Sequence, residues 1–162
     1  MKQYLVVAVE KSTRRIHKIR VEDTWIHGTY VEECIDELIS KFGDVYWASF
    51  HPTVPEEEAE AFLLSDIKQR EAIGCLLECW GEEADPVIEA CYDHAKPMSL
   101  DEFKTHCTCC GGNWCAMLLS GINDLYPEVY DAIPDDMGRH SFECILCVML
   151  LLGVIFEEGV KL

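Results

Sequence analysis

Positive charge is scarce in this chain. Thirteen Lys and Arg stand against thirty Asp and Glu in 162 residues, a formal net charge of −17. A field of that sign repels polyanions, so direct binding to nucleic acid or to an anionic membrane surface is not expected. Long apolar runs are missing too. The longest, residues 144–156, covers 13 positions, whereas a membrane-spanning helix needs about 20; it reads as a buried core helix. The N-terminal run 4–9 is shorter still and leads into Glu10, Lys11, Arg14 and Arg15 without a small-residue cleavage site. It therefore reads as a strand and not as a signal peptide.

Catalytic fingerprints are absent as well. The chain holds no G-x-x-x-x-G-K-[ST], G-x-G-x-x-G, H-E-x-x-H or G-x-S-x-G, so the local signatures of phosphate loops, dinucleotide folds, zinc peptidases and serine hydrolases are all missing. No internal repeat, low-complexity stretch or convincing linker divides the sequence. No residue is singled out as catalytic.

Cysteine, by contrast, is plentiful. Ten cysteines without a secretory signal point to a reducing compartment, read here as cytoplasmic, where most thiols act as small buried hydrophobes. Cys34, Cys75, Cys144 and Cys147 lie in apolar runs, as that expects. One cluster stands apart: His106, Cys107, Cys110 and Cys115 place a histidine and three thiols within ten positions, with C-x-x-C spacing between Cys107 and Cys110 and Gly111-Gly112 following. Three thiolates and an imidazole can hold zinc tetrahedrally. Cys144 and Cys147 share the C-x-x-C spacing, but an i, i+3 pair in an apolar run also fills a helix face. A thiol enzyme would need an activated thiolate near a histidine, and none of the six histidines carries such a signature.

The charge is unevenly placed. Residues 1–30 hold six basic side chains and three acidic ones, a net of +3, while residues 31–162 hold the other seven basic and twenty-seven acidic, a net of −20. Residues 4–9 and 16–21 read as two strands joined by a polar turn, a hairpin rich in Lys11, Arg14, Arg15, Lys18 and Arg20. Such a hairpin can contact phosphate, dock on the chain's own acidic helices, or form a charged edge that blocks strand-to-strand association. The acidic remainder favours the last two.

Further along, Val31, Cys34, Ile35, Leu38, Ile39 and Phe42 recur at helical spacing and predict a helix over 29–42, stopped by Gly43. Residues 45–50 read as a third strand. Helical signals then dominate: a Thr53–Glu56 capping box, an apolar stripe at Ile73, Leu76, Leu77 and Trp80, an Asp85-Pro86 start, a Ser99–Glu102 cap, a segment bracketed by Pro127 and Pro134, and a C-terminal helix over 141–156. The expected fold class is α+β: a small antiparallel-containing sheet in β-β-α-β order followed by a mostly helical C-terminal half. One domain, 1–162, is expected, with a subdivision at 1–52 and 53–162 where the composition turns helical and acidic.

Four carboxylate groups complete the reading. Glu32, Glu33, Asp36 and Glu37 decorate one helix; Glu56, Glu57, Glu58 and Glu60 open another; Glu82, Glu83 and Asp85 cluster around a turn with Glu78; Asp131, Asp135 and Asp136 form the last. Carboxylates so arranged can imitate phosphates and pair with arginines. The first three groups are the candidate partner-binding residues, and the expected partner is a basic protein surface, as on a nucleic-acid-binding protein. In charge and size the chain is similar to small acidic inhibitors of nucleic-acid-processing enzymes, including phage-encoded anti-CRISPR proteins; the likeness is one of class. The alternatives are a zinc-stabilised adaptor built on His106, Cys107, Cys110 and Cys115, or a cysteine-dependent enzyme.

Overall fold

Strand β1 (Lys2–Glu10) is apolar at every position from Leu5 to Val9, and all five of those side chains are buried. A strand with no polar face has to be covered on both sides. The structure, a computed structural model, describes residues 2–23, 29–94, 98–106, 114–135 and 142–155, and in it β1 is the central strand of a three-stranded sheet in the order β2-β1-β3. Strands β2 (Ile16–Asp23) and β3 (Val45–Phe50) each pair antiparallel with β1. The hairpin turns through Arg14, at φ 62°, with the Thr13 hydroxyl accepting from the Arg15 N–H at 3.1 Å.

Helix α1 (Thr29–Phe42) connects β2 to β3 and covers one face of the sheet, where Val6 and Ala8 meet Ile35, Leu38 and Val45. Gly43, at φ +81°, ends the helix and returns its N–H to the Ile39 carbonyl. The other face lies under the start of α2 (Glu56–Trp80), with Leu5, Val7 and Val9 against Ala59, Leu63 and Ile67. Both expectations for this region hold: the helix at 29–42 and the strand at 45–50 form with the predicted bounds, and the fold class is α+β with a helical C-terminal half.

The phase of the ladder follows from two bonds. The Glu10 N–H donates to the Arg15 carbonyl at 2.9 Å, and the Lys11 N–H to the Asp44 carbonyl at 3.0 Å. Bonding positions alternate along an antiparallel strand, so even-numbered residues of β1 bond to β2 and odd-numbered ones to β3. On β2, His17, Ile19 and Val21 therefore bond inward, while Lys18, Arg20 and Glu22 turn their N–H and C=O groups to the outer edge of the sheet.

Two compact units divide the chain, Met1–Ile67 and Lys68–Leu162. The break falls inside α2, fifteen residues beyond the point where the composition changes. In the second unit the end of α2 supplies Ala72, Leu76 and Trp80 to a separate core. A 3-10 turn at Gly81–Ala84 runs into α3 (Asp85–His94), which contributes Val87 and Cys91. Strand β4 (Met98–Ser99) is followed by α4 (Leu100–His106), α5 (Trp114–Leu125), α6 (Pro127–Ala132) and α7 (Phe142–Leu151), and β5 (Val154–Ile155) pairs parallel with β4. Phe103, Leu118, Ile122, Ile145, Met149 and Leu152 are fully buried there.

Several local expectations need correction. The C-terminal helix stops at Leu151, not at 156, because Gly153 at φ +80° turns the chain into β5. Thr53 does not cap α2; its hydroxyl lies 2.8 Å from the His51 imidazole, and the helix begins at Glu56 with the Ala59 N–H donating to the Pro55 carbonyl. Asp85 is already helical, at φ −55° and ψ −47°, since the preceding 3-10 turn leads directly into α3. Leu77 is 43 % exposed, so the stripe it was assigned to runs through Ala72, Leu76 and Trp80 instead. The Ser99 cap is present, accepting the Glu102 N–H at 3.2 Å.

Candidate functional site

Lys11, Lys18 and Arg20 of the basic hairpin are matched by carboxylates of their own unit. In register with Leu5 and Val7, Arg20 and Lys18 project on the α2 face. There Lys18 Nζ is 2.7 Å from Glu60 and the Arg20 guanidinium 3.4 Å from Glu56. Lys11 reaches Asp44 at 3.2 Å and lies 4.7 Å from the centre of the Tyr46 ring. The hydrogen bond to Glu60 holds the Lys18 ammonium above the usual lysine range, against the opposing pull of burial. These pairs lie at or near the surface, where solvent screens them and their contribution to stability is small, but they decide where the charge goes. Glu56 and Glu60, two of the residues expected to face a partner, are engaged inside the chain. Glu57 and Glu58 remain exposed.

At the end of β1, Glu10 is buried and its carboxylate lies 2.7 Å from His17 Nε2, with the His17 ring stacked on Phe42 at 4.5 Å. The bond to His17 holds the Glu10 carboxyl below the ordinary glutamate value, outweighing its burial. Neither residue was marked out by the sequence, because nothing local links positions 10 and 17 until the hairpin register brings them together.

Helix α1 carries an acidic surface that stays open. Glu32, Glu33, Asp36 and Glu37 are all exposed, and none of them forms an ion pair with a described residue. Glu33 and Glu37 are one turn apart on the same side of the helix. That side borders a groove of about 630 Å³ at the outer edge of β2. Ile19 and Val21 form one wall and Tyr30 and Cys34 the other, with Glu22, Glu33 and Glu37 among the lining residues and Arg20 beside them. Burial, and then the charge of Glu37, push the Cys34 thiol above its usual value. Glu33 and Glu37 follow from helical spacing alone, whereas the groove forms only where the helix meets the edge of the sheet. The signal was there in Tyr30 and Cys34, which share the helical side of the two glutamates.

Glu82, Glu83 and Asp85 are exposed in the second unit, around the 3-10 turn and the first residue of α3. His106 and Cys115 fall at the end of α4 and the start of α5, and Cys107 and Cys110 between them. The side chains of this candidate zinc set lie outside the described residues. Among the described residues no group of three or more His, Cys, Asp or Glu is placed to hold a metal ion, and no helix is long and apolar enough to cross a membrane.

Cys34, Cys75, Cys79, Cys91, Cys144 and Cys147 are not in disulfides. Cys91 is wholly buried and its pKa is pushed up to about 12. Burial also raises Cys147 strongly, reinforced by its hydrogen bond with Cys75. A thiol of pKa 12 is thiolate in only about one molecule in 10⁵ at neutral pH, and the thiolate is the nucleophile. Cys91 and Cys147 are therefore expected to resist iodoacetamide in the native protein and to react on unfolding, while exposed Cys79 reacts at once; mass spectrometry of timed samples checks this. Rapid native labelling of Cys91 would contradict its placement.

No family model matches the chain, and neither the curated proteins nor the solved structures contain a significant match.

Proposed function

We propose that this chain is an acidic protein-binding protein that engages a basic surface of a nucleic-acid-binding partner, and that it acts as an inhibitor or nucleic-acid mimic. The observation that carries this reading is the exposed carboxylate face of α1. Four acids there are free of ion pairs with described residues, while Lys11, Lys18 and Arg20 of the chain's own hairpin are matched elsewhere, on Asp44, Glu60 and Glu56. Charge-assisted contacts from arginine to carboxylate are strong and geometrically specific, and a net charge of −17 accelerates encounter with a cationic surface.

The test begins with affinity capture from a lysate of the source cells, eluted by a salt gradient. A basic, nucleic-acid-binding partner in stoichiometric amount is expected at moderate salt, because screening acts over about 8 Å at physiological ionic strength. Neutralising the face with Glu32→Gln, Glu33→Gln, Asp36→Asn and Glu37→Gln is expected to weaken that complex at least about tenfold and to flatten its salt dependence. Retention that ignores both salt and these four substitutions would refute the proposal.

A further inference from the structure

The groove beside β2 has a backbone side as well as a charged one. Lys18, Arg20 and Glu22 turn their N–H and C=O groups outward along it, as the register of the hairpin requires. An edge strand with outward amides is a template for one more strand. On the α1 face this edge continues into the apolar wall of Ile19, Val21, Tyr30 and Cys34, rimmed by Glu33 and Glu37. On the α2 face the basic side chains of the edge, Lys18 and Arg20, are matched by Glu60 and Glu56, so they do not repel an incoming cation as bare charges would.

We infer that the outer edge of β2 accepts an extended, cationic peptide segment of the partner as a fourth strand, with Arg or Lys at every second position facing α1. This rests on the reading of α1 as the partner-facing surface and adds the mode of recognition. Side chains of an added strand alternate between the two faces of the sheet. Those on the α1 side meet aliphatic and aromatic walls first and carboxylates at the rim. A long cationic side chain suits that order, with its methylene stem on Ile19 and Val21 and its charged head at Glu33 and Glu37. An arginine can also lie over the half-exposed Tyr30 ring. Side chains on the α2 side meet charges already paired, so small uncharged residues suit those positions. The edge from Ile16 to Glu22 is about 23 Å long at roughly 3.3 Å per residue, enough for a seven-residue segment.

The probe is the heptapeptide acetyl-Thr-Arg-Thr-Arg-Thr-Arg-Thr-amide, titrated into the full chain. Two further versions, N-methylated at every Thr or at every Arg, keep the side chains and charge but remove one set of amide donors. A heptapeptide with Gln in place of Arg is the uncharged control. The unmodified peptide is expected to slow hydrogen exchange at the amides of Lys18, Arg20 and Glu22 at least about tenfold. One methylated version is expected to lose about tenfold in affinity while the other binds as before. Glu33→Gln with Glu37→Gln is expected to lower affinity for the unmodified peptide by a similar factor. If both methylated versions bind like the parent, or the three edge amides are unaffected, strand addition is overturned while a salt-sensitive charge interaction still stands. If the arginine peptide binds no better than the Gln control, the acidic face itself does not attract cations, and both this inference and the proposed function fall.

Discussion

A Phe103→Ala variant is expected to lose about 3–5 kcal/mol of unfolding free energy, since truncating a buried aromatic removes its transfer free energy and leaves a cavity. The size follows from how α4 is held. That helix has seven residues, too few to be stable alone. Asp101, Glu102, Lys104 and Thr105 are exposed, and Phe103 is the one described side chain of the helix that is buried, at 0 % exposure. It enters the cluster formed with Leu76, Val87, Leu118 and Ile145. The Ser99 cap adds only about 1 kcal/mol, so Ser99→Ala is the calibrating variant. Equilibrium urea denaturation measures both. A Phe103→Ala loss no larger than that of Ser99→Ala would mean that α4 is held by something other than this ring.

Adjacent positions in α2 give the second large effect. Leu63→Ala is expected to cost about 2–5 kcal/mol, whereas Phe62→Ala should cost under about 1 kcal/mol although it removes a larger side chain. Leu63 is 1 % exposed beneath the sheet and Phe62 is 62 % exposed, touching the Phe50 ring edge to face at 5.8 Å. The two variants, compared by the same denaturation experiment, report the rotational phase of α2 on β1. Equal losses would place the helix in a different phase.

That phase also explains what the sequence could and could not convey. Helix α1 was legible because one apolar stripe serves one surface throughout its length. In α2 the stripe formed by Ala59, Leu63 and Ile67 faces the sheet, while Ala72, Leu76 and Trp80 join the core of the second unit. At 100° per residue these two stripes lie about 140° apart around the helix. Averaged over 25 residues they blur one another, so no clear period marks the first half and the unit boundary is invisible in composition. The residues that bracket short elements were legible for the opposite reason. Pro127 and the Ser99 cap act within a turn or two, and their elements begin where those residues say. The turn into β5 was not, because Gly153 interrupts a run that otherwise continues apolar to Phe156, and the partner that rewards the turn, β4, lies more than fifty residues earlier.

For the site the same distinction holds. Exposed carboxylates of α1 could be named from helical spacing alone. That Glu56 and Glu60 are taken by Arg20 and Lys18 is a fact of tertiary register, fixed by pairing Leu5 with Arg20 and Val7 with Lys18. The carboxylates left outside these ion pairs are thus fewer than the count of acids suggests.

The position of β1 has a consequence for synthesis. It is made before the other two strands of its sheet and lies between them, and its two cover layers come from α1 and from the start of α2, the latter completed only at Ile67. At roughly 5–20 residues per second, the nascent chain carries an uncovered Leu-Val-Val-Ala-Val segment for about 3–12 s before its shield exists. During that interval the segment is a sticky strand awaiting a partner, open to pairing with neighbouring chains.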